Sequence, residues 1–515
     1  MGYSNRRLRI ALFAAPLLAV AIIVPLLHCG GSSAPVDGDR VRPGILAGGW
    51  YPADPEALRH RLKLYLDRTG KTEVKGRVLG LVSPHAGYMY SGQAAAYGAA
   101  AIRGQKIRRV VVMGISHRYP LKGASVPEFT HYETPLGRIP VDQKACAFLR
   151  QNKLFGSYPN ADRQEHSIEI QLPFLQAVLG KDFELVPIMF GELTEAEHAE
   201  AAAEVRKLLD EGTLLVASSD FVHYGSRFGY RPFERDIPKN IEALDRTALD
   251  AILKKDFKTF HGHVEKTGAT ICGHVPIGVL LLALPKDAKG SLLRYYRSGD
   301  MSGEWDGSVS YASVAFGPAI SFKGSERETR EAAMLDPEEQ KEVVALARAT
   351  VEAYVRGRKV PDEKSLEAKV RKGLKKDRGL FVTLRKHGEL RGCIGDIAGR
   401  EPLYKGVVAN AVNAAVNDTR FSPVQAGELG DITVEVSILS PLKPAGGYRD
   451  ILPGWHGVVL SKGRRGAVFL PQVAVEFGWE VEEFLSHLAR KAGMGADDWR
   501  EGAGFELFEA QIVPE

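Results

Sequence analysis

The sequence predicts an α/β fold over residues 43–322, followed by a smaller α+β domain over 332–515. Three observations predict it. Short apolar runs without polar alternation recur between helical segments, the pattern of a sheet covered on both faces. A charged stretch poor in large apolar residues, "KGSERETREAAMLDPEEQ" (Lys323 to Gln340), then breaks that pattern and places a linker over 323–331. Finally, 515 residues exceed one ordinary core and suggest two to four domains. Composition is globular, with 44% hydrophobic and 25% charged residues. The 68 basic and 63 acidic residues leave a formal charge of +5, which makes no electrostatic case for nucleic acid. Such a partner needs basic residues clustered on one face.

Taken in order, the chain begins with "NRRLR" and an uncharged run from Ile10 to Leu27. Basic residues before an apolar run are the layout of a secretory signal or a single membrane anchor. With Pro16 and Pro25 inside, the run is marginal for a spanning helix, which needs roughly 20 apolar residues. Cys29, followed by Gly-Gly-Ser-Ser, resembles a bacterial lipoprotein signal, although His28 stands where that pattern has a small residue. The resemblance implies a lipidated Cys29 and a membrane-anchored protein of a bacterial cell envelope, with a cytoplasmic location as the alternative. Arg6 and Arg7 form a twin-arginine pair. Residues 1–29 are thus a signal or anchor segment, and 30–42, small and polar, a tether.

Arg77 to Ser83 ("RVLGLVS") then predicts a buried strand, and Gly92 to Gly104 a helix of small residues. Arg108 to Ser116 is a second strand, His166 to Gly180 a helix, and Phe183 to Gly191 a third strand. Thr194 to Gly212 predicts a helix with a Thr N-cap, acidic first turn and glycine stop. Thr213 to Ser219 is a fourth strand, and an apolar helix precedes Leu284. The second domain opens on a helix at "PEEQKEVVALARATVEAYVRG", then short strands, a helix around Leu403 to Asn417, and a strand in Gly430 to Pro444.

The chemistry-bearing residues fall just past the strands: His85 after the first, His117 after the second, Asp220 and His223 after the fourth. In open α/β sheets the carboxyl ends of strands face the ligand crevice. Cys272 and His274 stand in a turn before the apolar helix. Convergence of imidazole and thiol suits Zn, Fe or Cu, and not Mg or Ca, which prefer oxygen. The four cysteines (Cys29, Cys146, Cys272, Cys393) are too few and too widely spaced for a disulfide framework. The segment "GYMYSG" (Gly87 to Gly92) reads as the turn that brings backbone to the cleft, with Tyr88 and Tyr90 positioned to meet a substrate and ordinary packing expected of one of them.

"PHAGYMYSG", "GISHRY", "EHSIEIQLPF", "SSDFVHYG", "TICGHVPIGVLL" and "SVSYASVAFG" together resemble the Memo family. The resemblance implies the fold of the class III extradiol dioxygenases. It implies metal ligation by His85, His117 and Cys272, with Asp220 and His223 beside them as catalytic candidates and Glu165 and His166 in a matching motif of weaker implication. His223 is the expected proton donor or acceptor, with Asp220 orienting it. Cysteine replaces the dioxygenases' carboxylate. A thiolate is softer, favours Fe(II) or Cu(I) over Zn, and is itself oxidisable. Catechol ring cleavage is therefore not expected. "LRGCIGDI" (Leu390 to Ile397), "NAAVNDTRFSPV" and "ITVEVSILSPL" resemble the AMMECR1 family. Here Gly392 and Gly395 bracket Cys393 in an expected turn, and Arg391 beside it would lower the thiol pKa and make it nucleophilic; a buried structural cysteine is the equal alternative. Asp418, Thr419 and Arg420 are expected on the same surface. The two families resemble proteins B and A of the AmmeMemoRadiSam system, which implies a link to a radical S-adenosylmethionine enzyme. The expected function is an iron- or copper-dependent redox protein acting on a small molecule or peptide. The alternative is a non-catalytic peptide-binding or metal-handling envelope protein using the same cleft.

Overall fold

The expected strands form the centre of one sheet. In the computed structural model, which describes residues 40–325 and 334–515, Gly80–Ser83, Thr213–Ser218, Arg109–Ile115 and Glu184–Phe190 lie side by side and parallel. Ser83 pairs with Ser218, and Met113 with Ala217, so the carboxyl ends of the three site-bearing strands reach the same edge. Every residue of Gly80–Ser83 and Thr213–Ser218 is buried, which explains their lack of polar alternation. Four more strands extend the sheet to eight: Ser310–Gly317 and Lys289–Arg297, each antiparallel to its neighbour, beyond Gly80–Ser83, and beyond Glu184–Phe190 the antiparallel Ala124–Ser125 followed by Phe155–Gly156, parallel to it.

The small-residue helix runs Tyr88–Ile102, one turn earlier than predicted, so "YMYSG" is helix and only Gly87 belongs to the turn. Its glycines allow close packing. A Cβ on Gly92 would meet the Tyr65 ring at 2.9 Å, and one on Gly98 would meet Ser313 Oγ at 2.8 Å. The predicted helix over 194–212 starts with a Thr194–Glu197 capping box but stops at Arg206. Asp210 ends it by accepting from Gly212 N and Thr213 Oγ1, a local side-chain turn that competes with the helix. His166 to Gly180 likewise yields only a short 3₁₀ turn, Glu169–Gln171, and the helix Leu172–Leu179. Upstream, Glu165 takes the His166 and Ser167 N–H groups for itself, and Glu169 is drawn into a buried pair with Arg42. The tether ends sooner than position 42: Val41–Arg42 is already a strand, parallel to His131–Thr134. The expectations for 1–29, Cys29 included, for the rest of the tether, and for 326–331 of the linker lie outside the described residues. Among the described residues no helix is long and apolar enough to cross a membrane.

The second domain is α+β, as predicted. Glu389–Asp396, Leu380–Lys386, Ile432–Leu439 and Ala510–Pro514 form an antiparallel sheet backed by helices Pro337–Gly357 and Leu403–Val416. A second antiparallel sheet, with Gly457–Lys462 and Gly504–Phe508 at its centre, packs on Val481–Lys491. The two domains lie within one compact unit, Arg40–Glu515. Trp455 of the second inserts into an apolar cluster of the first, edge-on to Tyr296 and under the Arg68 guanidinium. Arg61–Glu480 and His60–Asp450 cross the same boundary at 3.3 and 3.0 Å.

Candidate metal centre

His85, His117 and Cys272 converge: one donor atom from each lies within 4.8 Å of the others. The hydrogen bonds around them fix which atoms these are. Ser218 Oγ spends its proton on Ser167 O (2.5 Å) and so accepts from His85 Nδ1 at 3.1 Å. That leaves the His85 Nε2 lone pair free, and it points at Cys272 Sγ, 3.0 Å away. His117 Nδ1 donates to Glu165 Oε1 at 2.9 Å, which frees its Nε2 in the same way. A carboxylate or hydroxyl behind each imidazole is the usual support of a metal-binding histidine.

A second triplet, His117, Glu165 and His166, is also close enough to hold an ion. Glu165, however, already accepts from the backbone and ring of His117 and from the backbones of His166 and Ser167. Its lone pairs are committed, which makes it an orienting group and favours the cysteine-containing set. Burial alone would raise the Glu165 pKa, but the hydrogen bond from the His117 ring, with the neighbouring imidazoles and the His117 backbone N–H, brings it down to about 2. His85, 2% exposed, is held well below its ordinary pKa by burial and then by neighbouring histidines, so the ring is neutral and ready to ligate. Burial, reinforced by Asp220, holds the Cys272 thiol well above the ordinary range. A soft cation is what converts such a thiol to thiolate, and the donor set of two nitrogens and one sulfur fits one.

His85 and His117 line a cleft of about 660 Å³ together with Trp50, Tyr90, His166, His223 and Arg227, and Cys272 stands behind His85. His223 donates from Nδ1 toward Phe221 O and Thr270 O, at 2.9 and 3.0 Å, leaving Nε2 as an acceptor. Asp220 does not orient it, contrary to expectation: its carboxylate accepts from His85 N at 2.7 Å and holds the ligand-bearing turn. Burial raises its pKa to about 7. The two tyrosines divide. Tyr88 is 1% exposed, donates to Ile170 O and packs on Phe174, whereas Tyr90 lines the cleft. Tyr88 is therefore a core residue and not a substrate contact. His274 turns away to Glu192, 3.3 Å distant.

The structure also adds residues that the motif reading ranked low or passed over. His166 stacks on His117 with ring centroids 4.4 Å apart and meets Trp50 at 4.7 Å. Its Nδ1 lies 3.1 Å from Glu165 Oε1 without hydrogen-bond alignment. The adjacent pair Glu165-His166, two polar residues entering an apolar segment, was the available signal.

A family model described as Memo-like protein matches residues 42–315, over half of the chain. The chain belongs to the Memo family. A second model, AMMECR1, matches residues 344–513, so a Memo domain and an AMMECR1 domain share one polypeptide. The chain is 34% identical over 283 residues to Protein MEMO1 of Homo sapiens, covering 52% of this chain and 95% of that protein. It is 34% identical over 290 residues to a Protein memo-1 homolog of Caenorhabditis elegans, covering 54% and 82%. Among solved structures it is similar to an uncharacterized protein from Pyrococcus horikoshii, at 34% identity and TM-score 0.33, covering 35% of this chain and 92% of that one. The metal-ligand cluster His85, His117 and Cys272 lies wholly within the Memo domain.

In the AMMECR1 domain, Cys393 is in the strand Glu389–Asp396 and not in a turn. Arg391 is engaged by Glu428 and Ser422 O. Burial pushes the Cys393 thiol up, the opposite of an activated nucleophile. Asp418 and Arg420 do share its surface: Cys393 N donates to Asp418 at 2.9 Å, and Arg420 donates to Cys393 O at 3.0 Å.

Proposed function

We propose that this Memo-family protein binds one soft transition-metal ion, Fe(II) or Cu(I) ahead of Zn, at His85, His117 and Cys272. It uses that ion for redox chemistry on a small molecule or peptide in the adjoining cleft. The observation that carries this reading is the pair of imidazole Nε2 lone pairs, each freed by a fixed partner on Nδ1, beside a thiol 3.0 Å from one of them. Such an ion supplies a one-electron couple and a Lewis-acidic centre when bound. His117 and His85 need no reorientation to ligate, because Glu165 and Ser218 already fix their rings. His223, with Nδ1–H held by two carbonyls, presents Nε2 to the cleft, and burial lowers its pKa, so it acts as a proton acceptor. His166 packs against both ligand imidazoles, and Trp50 against His166, on the cleft side of the cluster. A thiol in place of a carboxylate argues against ring opening of catechols.

The test is elemental analysis of the protein from Val41 onward, purified without oxygen and reconstituted with iron or copper, beside a His85→Ala/Cys272→Ser variant. Stoichiometric metal in the parent and none in the variant supports the reading. Absence of metal from both after reconstitution leaves a peptide-binding cleft as the better account.

A further inference from the structure

The cleft above the metal ligands is not walled by the Memo domain alone. Gly478 and Glu480 of the AMMECR1 domain line the same cavity as His117, His166 and His223. They belong to the turn between helices Pro471–Phe477 and Val481–Lys491. That turn is fixed to the first domain from both sides, because Tyr90 Oη donates to Val475 O at 3.3 Å and Arg61 meets Glu480 at 3.3 Å. Gly478 takes a left-handed conformation (φ 68°) with nothing within 4 Å of where a Cβ would stand, so the wall leaves room on its open side.

Glu480 occupies the N-cap position of Val481–Lys491 but does not cap it. Its Oε2 faces Arg61, while Oε1 has no protein partner among the described residues, and the side chain keeps 34% of its surface exposed. The cavity also holds a cation, Arg227, which donates to Gly307 O and lies 4.5 Å over the Phe228 ring. Tyr90, Arg227 and Glu480 all line this one cavity. The rest of the lining includes four aromatic rings, Trp50, Tyr90, Phe228 and Tyr311, with Met89, Val309, Ser298 and, beside His85, Asp220. Aromatic walls with a few fixed polar groups select flat apolar bodies of defined orientation.

We infer that the AMMECR1 domain completes the ligand site of the Memo domain, with Gly478–Glu480 as its outer wall. Glu480 and Arg227 there select a compact ligand with a flat apolar body bearing both an amino and an acid group, the chemistry of an aromatic amino acid or a peptide end. This names the substrate class of the proposed redox site and rests on that reading for the metal alone.

Calorimetric titration of the described two-domain protein, metal-free and iron-loaded, with tyrosine, tyramine and 3-(4-hydroxyphenyl)propionate tests it. The parent protein binds tyrosine more tightly than either half-charged probe. Glu480→Gln weakens tyrosine and tyramine about tenfold, as expected for a hydrogen bond to a charged group, and leaves the propionate unchanged. Arg227→Gln does the reverse. Equal binding of all three probes by the parent and both variants, or no binding of any probe by the parent, overturns the inference. Iron is measured on the same samples. Charge selection without bound iron removes the metal reading and keeps the two-domain site, whereas bound iron without charge selection does the opposite.

Discussion

Cys272 and Cys393 are both thiols whose protons burial holds more tightly than usual, one in each domain. Around Cys272 stand the free nitrogen of His85 and, close by, that of His117, each oriented by a second residue. Around Cys393 stand Thr383, whose hydroxyl donates to the sulfur, and an Asp418–Arg420 pair that spends itself on the Cys393 backbone. The two sulfurs differ in the groups aimed at them, imidazole lone pairs at Cys272 and a hydroxyl proton at Cys393. Burial alone does not separate them, since it moves both thiols the same way.

The largest effect expected from this contrast is on metal content. Cys272→Ala abolishes stoichiometric iron or copper binding, while Cys393→Ala leaves it unchanged, as read by elemental analysis of the reconstituted proteins. Retained metal in the first variant, or loss in the second, breaks the comparison. Next comes the support behind the ligands. Glu165→Gln keeps the shape but weakens the bond to His117 Nδ1, and metal affinity falls by about 10- to 100-fold in competition with a chelator. An unchanged affinity would make Glu165 a bystander.

The acids repeat the contrast at smaller scale. Glu165 is met by His117 and falls to about 2. Glu435, 7% exposed, has no hydrogen bond or salt bridge to its carboxylate among the described residues, and burial raises its pKa to about 7. Because this folded-state pKa lies above the unfolded one, its stabilising contribution is full below about pH 4.5 and is lost as pH rises through about 7. Relative to Glu435→Gln, the parent protein should lose about 1 kcal/mol of stability between pH 5 and pH 6, one pH unit per proton being worth 1.36 kcal/mol. Parallel pH profiles of the two in chemical denaturation would contradict this.

Much of the first domain was legible because its central strands are uniformly apolar and its site residues fall immediately past them. His85, His117, Asp220 and His223 needed only the rule that parallel strands end at one edge. The errors have local causes. The helix expected at His166 failed because Glu165 and Glu169 bond backbone and buried partners that periodicity does not register. Cys393 looked like a turn residue because glycines bracket it. In the fold, Gly392 instead makes room for the Ala414 carbonyl, and Gly395 for the Leu380 carbonyl. The contribution of Glu480 to the cleft was illegible, since nothing in a linear sequence places position 480 against position 61.

The most direct test of the central claim is X-ray absorption at the metal edge of the iron- or copper-loaded protein. The three-ligand site predicts one sulfur scatterer at about 2.3 Å, the usual metal–thiolate distance, together with imidazole nitrogens, and loss of the sulfur in Cys272→Ser. A spectrum of oxygen and nitrogen alone in the parent protein would contradict it.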